Sequence, residues 1–278
     1  MRTLVYISFI HLIVTCFSSD ICSKPYPWLD NYNDSNSIEN RIPPIDGYRR
    51  TDAIQNSFTK WLRRLPLKDE NAKVYLYNGE EKSNKVAHAV IDIDTGDKDL
   101  QQCADAVIRF RAEYLFSQNK LDDIQFNFTN GDTASFRQWI KGYRPAVNGN
   151  NVNWEKTNSI DSSYTSFRDY LNTIFMYCGT YSLSKELVPV KDTRDIQAGD
   201  IFIQGGFPGH AIIVLDIIEN NKKNKAFLLA QGFTPAQNIH ILKNPDNPQL
   251  SPWYDNDFGE ILRTPEWTFK KTDLKRFK

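Results

Sequence analysis

Residues Ala198 to Leu242 read AGDIFIQGGFPGHAIIVLDIIENNKKNKAFLLAQGFTPAQNIHIL and hold three β-type runs, Ile201–Gln204, Ala211–Ile218 and Ala226–Gln231. Each run is short, apolar and bounded by turn residues, which is the pattern of strands rather than helices. A Gly/Pro-rich turn, Gly205-Gly206-Phe207-Pro208-Gly209, separates the first two runs, and a polar turn at Asn221-Lys222 separates the last two. Such short connections join antiparallel neighbours. His210 stands where the second run begins, directly behind the glycine turn. With a hairpin turning at Asn221-Lys222, Gln231 falls near His210 on one face of the sheet, and a one-residue slip would move it to the other. Asp216 shares the face of His210 in either case, further along the strand.

The flanking chain supplies helices. Phe58, Trp61, Leu62 and Leu65 recur at helical spacing over Ser57–Leu65, with Ser57 placed to cap and Pro66 to stop. Asp99–Gln118 carries the clearest helical pattern: Leu100, Cys103, Val107, Phe110 and Tyr114 lie on one face, and Asp97 or Asp99 can cap its start. Ser162–Met176 repeats Phe167, Tyr170, Leu171, Ile174 and Phe175 in the same way, ending at Gly179. Weaker strand signals fall at Val74–Tyr77, Ala87–Ile93 and Ile124–Asn130. The region after Leu242 turns polar and Pro-rich, with few periodic signals.

Arg2 followed by the apolar Leu4–Val14 run reads as an export signal over residues 1–22, too short for a good transmembrane helix. Ile13-Val14-Thr15-Cys16 loosely resembles a lipobox, with Thr15 where Gly, Ala or Ser is usual, so cleavage and lipidation of Cys16 both stay open. Residues 23–40 are rich in Asn, Asp and Ser and read as a polar linker, and residues 41–278 as a single α+β domain. The expected location is the periplasm or cell envelope, with membrane contact only through a lipid anchor. Thirty-four basic residues balance thirty-four acidic ones, which argues against a nucleic-acid binder.

The four cysteines are Cys16, Cys22, Cys103 and Cys178. Loss or lipidation of Cys16 leaves an odd count, so a free Cys103 or Cys178 is expected, with a Cys103–Cys178 disulfide as the structural alternative. Outside the signal the histidines are His88, His210 and His240; no two share metal-ligand spacing, and no CxxC occurs. GxxxxGK[ST], GxGxxG and GxSxG are also absent, so the sequence calls for no cofactor or metal. A cysteine and a histidine remain. A helix N-terminus lowers a thiol pKa, and Cys103 lies near one. His210 on a strand can accept its proton, Gln231 can orient the imidazole, and Gln102 or Gln101 can donate to an oxyanion. Against this, a cysteine on an apolar helical face is commonly a small buried side chain.

Six stretches resemble an uncharacterised bacterial family of Bacteroides type, the domain of unknown function 4846. They are Leu65–Gly79, Asp99–Leu115, Phe126–Gly131, Ser182–Leu187, Gly199–Ala211 and Leu228–Pro245. That family implies no function. A second resemblance, to the papain-like NlpC/P60 and CHAP cysteine amidases, rests on Gly199-Asp200, Gly209-His210 and a helix-borne cysteine. Here Gln102-Cys103-Ala104 departs from their usual Asp, Gly or Ser around the cysteine. This second resemblance implies an α+β, papain-like antiparallel sheet packed against the cysteine helix, and a hydrolase for peptide or glycopeptide amides. The sheet face carrying His210 is the expected seat of that helix. The alternative is a noncatalytic envelope or surface binding protein whose cleft is lined by Trp253, Tyr254, Trp267 and Phe269.

Overall fold

The three β-type runs form neighbouring strands, Ile201–Gln204, His210–Asn220 and Lys225–Gln231, at the centre of a nine-stranded sheet. The structure is a computed structural model describing residues 24–278. The expected export signal, with Cys16 and Cys22, lies outside the described residues. The fold is mixed α and β, and every pairing in the main sheet is antiparallel. Its order runs Ala87–Val90, His240–Leu242, Lys225–Gln231, His210–Asn220, Ile201–Gln204, Leu274–Arg276 and Val188–Pro189. Tyr48–Arg50 pairs with the far end of the His210 strand, and Trp253–Asp255 with the Lys225 strand.

Alternation along the strands sorts their side chains onto two apolar layers. Ile201, Ile203, Ala211, Ile213 and Leu215 face one side, where they meet Ala104, Val107, Ile108 and Phe110 of the cysteine helix and Phe167, Tyr170 and Leu171 of the Tyr164–Tyr177 helix. Phe202, Ile212, Val214, Phe227 and Leu229 face the other side, under Leu262 and Phe269 of the hairpin formed by Ile261–Arg263 and Thr268–Lys270.

His210 belongs to the second face, its ring stacked 5.9 Å from that of Phe269. The expected packing of the cysteine helix on the His210 face is thereby corrected: the helix covers the opposite face. The reason is polarity. His210, Gln231 and His240 all lie on the second face, and an apolar helix laid over them would strip them of hydrogen-bond partners.

The polar linker expected over residues 23–40 is also corrected. From Lys24 onward the chain packs on the core. Tyr26 and Ile38 are buried, Tyr26 Oη donates to Trp61 O at 2.9 Å, and Trp61 Nε1 donates to Pro25 O at 2.7 Å. Three aromatics, Tyr26, Trp28 and Tyr32, outweigh the polar residues around them. Ser57 caps the Phe58–Arg63 helix as expected, accepting from Lys60 N. Val74–Tyr77 makes only isolated bridges through Tyr75 and Leu76. The quiet C-terminal region forms four short strands, and Trp253, Tyr254 and Phe269 are buried in the core, so of the expected aromatic cleft only Trp267 lines the cleft that Cys103 and His210 share. No helix among the described residues is long and apolar enough to cross a membrane.

Candidate functional site

The cysteine helix begins later than its periodicity predicts, at Cys103 rather than Asp99, and runs to Ser117. Two tight turns precede it, Leu100 N to Lys98 O and Gln102 N to Leu100 O, both 2.8 Å. Asp105 reaches back to accept from Gln102 N at 3.0 Å, satisfying one free amide of the first turn. Cys103 is therefore the first residue of the helix, where the backbone amides converge.

The Cys103 thiol is buried, and burial pushes it up to about 11. The amides of Ala211, Ala104 and Cys103 itself oppose that rise by pointing at the sulfur, whereas the neighbouring Asp105 adds to it. Ala211 follows His210 directly. The sulfur thus lies against the peptide bond that leaves His210, although the two side chains come from opposite sheet faces.

The His210 ring is enclosed by Phe233, Trp267 and Phe269, at centroid distances of 5.0, 5.3 and 5.9 Å. Its Nε2 lies 2.9 Å from Gln231 Oε1. The register explains this contact: Leu229 faces Val214 and Ala230 faces Ile213, so alternation returns Gln231 to the His210 face after a shift between Leu228 and Leu229. Burial lowers the imidazole to about 4, although the Gln231 bond and Glu266 act the other way. At neutral pH both groups are uncharged. Among the described residues, no hydrogen bond joins the thiol to the ring.

Cys103 and His210 line one cleft of about 910 Å³, together with Cys178, Thr180, Phe233 and Trp267. Phe207 overhangs it fully exposed, and Met176 and Tyr181 are exposed at its wall. Two glycines hold the cleft closed up. A Cβ on Gly209 would lie 2.4 Å from Thr180 Oγ1, and one on Gly232 would lie 2.7 Å from Gln102 O. Only glycine lets the His210 turn and the Gln231 strand end approach the two helix starts this closely.

The other expected site residues are placed elsewhere. Gln102 lines the cleft, but its Nε2 donates to Asp99 Oδ1 at 3.1 Å and its Oε1 accepts from Thr234 Oγ1 at 3.0 Å. It ties the helix start to the 232–236 loop, and in this state its amide is not turned to an oxyanion. Gln101 is buried between Asp94 O and Arg109. Asp216 is not a partner of His210: it is fully buried between Arg50 and Arg63, each with Nε at 2.7 Å. Cys103 and Cys178 are free thiols, so the disulfide alternative is not formed. Burial raises the Cys178 thiol still further, with Glu186 and Asp105 adding to it.

Several residues at the site carry no signal in the sequence. Gln231 Nε2 donates to Glu266 Oε2 at 2.7 Å, and Lys82 Nζ lies 2.8 Å from Glu266 Oε1. His240 approaches Gln231 from the next strand at 3.4 Å. Asp105 lines the cleft with Oδ1 unpartnered, and burial raises its carboxyl well above the usual range. Among the described residues no group of three His, Cys, Asp or Glu side chains is placed to hold a metal ion.

The match to a family model spans residues 38–276, nearly all of the described fold. No curated protein and no solved structure matches the chain. With the model covering both sheet faces, the cysteine helix and the cleft, the chain belongs to the family described as domain of unknown function (4846).

Proposed function

We propose that this protein is a papain-like cysteine hydrolase that cleaves amide bonds in peptides or glycopeptides, with Cys103 as nucleophile and His210 as base. One observation carries the reading. The Cys103 sulfur lies at a helix N-terminus against the peptide bond leaving His210, and His210 offers Nε2 to Gln231 within the same cleft. A bonded Nε2 leaves Nδ1 to act on the thiol. In the acylation step Nδ1 takes the thiol proton as sulfur bonds to the carbonyl carbon. The C–N bond then breaks, and the imidazolium returns that proton to the leaving amine. Water, deprotonated by the same nitrogen, hydrolyses the thioester and releases the acid. Resting contacts between catalytic pairs are commonly loose and tighten with substrate.

The second reading is a noncatalytic binding protein. It is favoured by the elevated thiol and by the exposed Phe207, Met176 and Tyr181 at the mouth. Iodoacetamide labelling of the folded protein separates the two. A nucleophilic Cys103 is modified ahead of Cys178 by roughly tenfold or more, because the thiolate is the reactive form and Cys178 is raised further. His210→Ala slows that reaction and Cys178→Ala leaves it unchanged. Equal labelling of both thiols only after unfolding would establish the binding protein instead.

We further infer export to the periplasm or cell envelope, by simple cleavage or through a lipid on Cys16, from the Arg2 and Leu4–Val14 pattern. Mass spectrometry of protein from the native host is expected to find the mature N-terminus between Thr15 and Cys22. Intact Met1 on cytosolic protein would rule this out.

A further inference from the structure

Behind His210 lies a chain of polar side chains enclosed between the sheet and the turn at Thr264–Trp267. His240 is its inner end. Its Nδ1 is 2.9 Å from Asn238 O, and a carbonyl only accepts, so Nδ1 carries the ring proton and Nε2 of the neutral ring is bare. Gln231 Nε2 sits 3.4 Å from that bare nitrogen and 2.7 Å from Glu266 Oε2. Both of those groups accept, so the amide must turn its NH2 toward them. Its Oε1 then faces His210 Nε2 at 2.9 Å, and an amide oxygen also only accepts. Each choice forces the next, and the last places the His210 proton on Nε2.

We propose that Glu266, anchored by Lys82, is a positioning residue that locks His210 with its proton on Nε2 and leaves Nδ1 bare toward chemistry. This use of Nδ1 rests on the hydrolase reading; the proton placement does not. Lys82 and Glu266 are each only 10% exposed, and their contact is 2.8 Å. Taking both charges out of water is expensive, and apolar residues of similar volume would hold the fold as well. The pair fits a device that keeps one amide from flipping. Lys82 Nζ also lies 4.8 Å over the Phe233 ring, which stands edge-on to His210, so the same ammonium braces the wall of the imidazole slot.

The test is a long-range proton–nitrogen NMR correlation on the intact protein carrying 15N-histidine, at neutral pH, with His88→Gln and His240→Asn used for assignment. Wild-type His210 is expected as a single Nε2–H tautomer and His240 as a single Nδ1–H tautomer. In Glu266→Gln the neutral amide can meet Gln231 in either orientation, so His210 is expected to lose its single-tautomer signature. A wild-type His210 protonated on Nδ1, or an unchanged pure Nε2–H form in Glu266→Gln, would overturn the proposal. Should that variant fail to fold, Gln231→Met removes the amide at similar length and must also release the tautomer. Cys103 labelling keeps the two ideas apart. The expected tautomers with no effect of His210→Ala on labelling sink the hydrolase and leave the lock standing. The wrong tautomer together with slowed labelling sinks the lock alone.

Discussion

Between pH 6.5 and about 4 the wild-type protein is expected to lose up to about 3 kcal/mol of stability relative to a His240→Asn variant. The His240 ring is fully buried, and burial lowers it from an ordinary 6.5 to about 4, with the bond to Asn238 O opposing the shift. In the unfolded chain the imidazole takes up a proton near pH 6.5, whereas in the fold it stays neutral until about pH 4. The unfolded state therefore binds more protons across that window, so stability falls as pH falls through it. Above pH 6.5 both states are neutral, and the histidine adds no pH dependence. Asparagine preserves a donor toward Asn238 O without titrating. Subtracting the variant removes the contributions of groups away from the His240–Gln231–His210 chain, including Glu186, which burial raises to about 7 and which acts in the opposite sense. Urea denaturation of both proteins at several pH values measures the difference. A gap that stays constant from pH 7 to 4 would show that His240 is not held neutral.

Replacing Asp216 by Ala is expected to cost about 3–5 kcal/mol. The carboxylate is inaccessible to water and accepts from Arg50 Nε, Arg63 Nε and Ile217 N. The two guanidinium groups continue outward to Ile42 O at 2.6 Å and Thr51 O at 3.0 Å, so one carboxylate fastens the Tyr48–Arg50 strand and the Phe58–Arg63 helix to the sheet. Without it two cations remain in a site that water barely reaches. Arg49→Ala is the control: Arg49 is 77% exposed and 4.0 Å from Glu219, a surface pair of about 0.5 kcal/mol or less. The urea midpoint of Asp216→Ala should drop at an unchanged slope. Cys103 labelling below the transition should not change, because Asp216 does not touch His210. A small loss of stability, or altered labelling, would contradict this assignment.

The difference between Asp216 and Gln231 illustrates what alternation in a sequence can reveal. Counting residues puts both on the His210 face, but only Gln231 is there. The shift opposite Leu228 and Leu229 takes up an extra residue in the His210 strand, so Asp216 comes to the opposite face, beside Leu228 and Ile218. Counting does not say which residue is close enough to bond, or which is claimed by another partner. Arg50 and Arg63 claim Asp216 from distant parts of the chain, leaving Gln231 against the ring. The cysteine helix teaches the same lesson at its start. Its apolar spacing was legible back to Leu100, yet the helix opens at Cys103, because Asp105 caps Gln102 and the preceding residues turn instead. The polar stretch before Ile38 misled through composition, since its few aromatics find a core that composition cannot show.

Local chemistry along the chain determined the three central strands, their antiparallel order, the positions of the main helices and the nearness of Gln231 to His210. These follow from side-chain period and turn residues, which act over a few positions. The tertiary structure alone decided which sheet face the cysteine helix covers, that the Cys103 sulfur meets the backbone beside His210 rather than its ring, and that Lys82 and Glu266 stand behind Gln231. Those outcomes depend on how polar and apolar groups distributed over the whole chain are buried together. Distant residues meeting in one slot leave no period and no spacing to read. They come together because the sheet puts His210, Gln231 and His240 on one face, and every buried donor and acceptor there must find a partner.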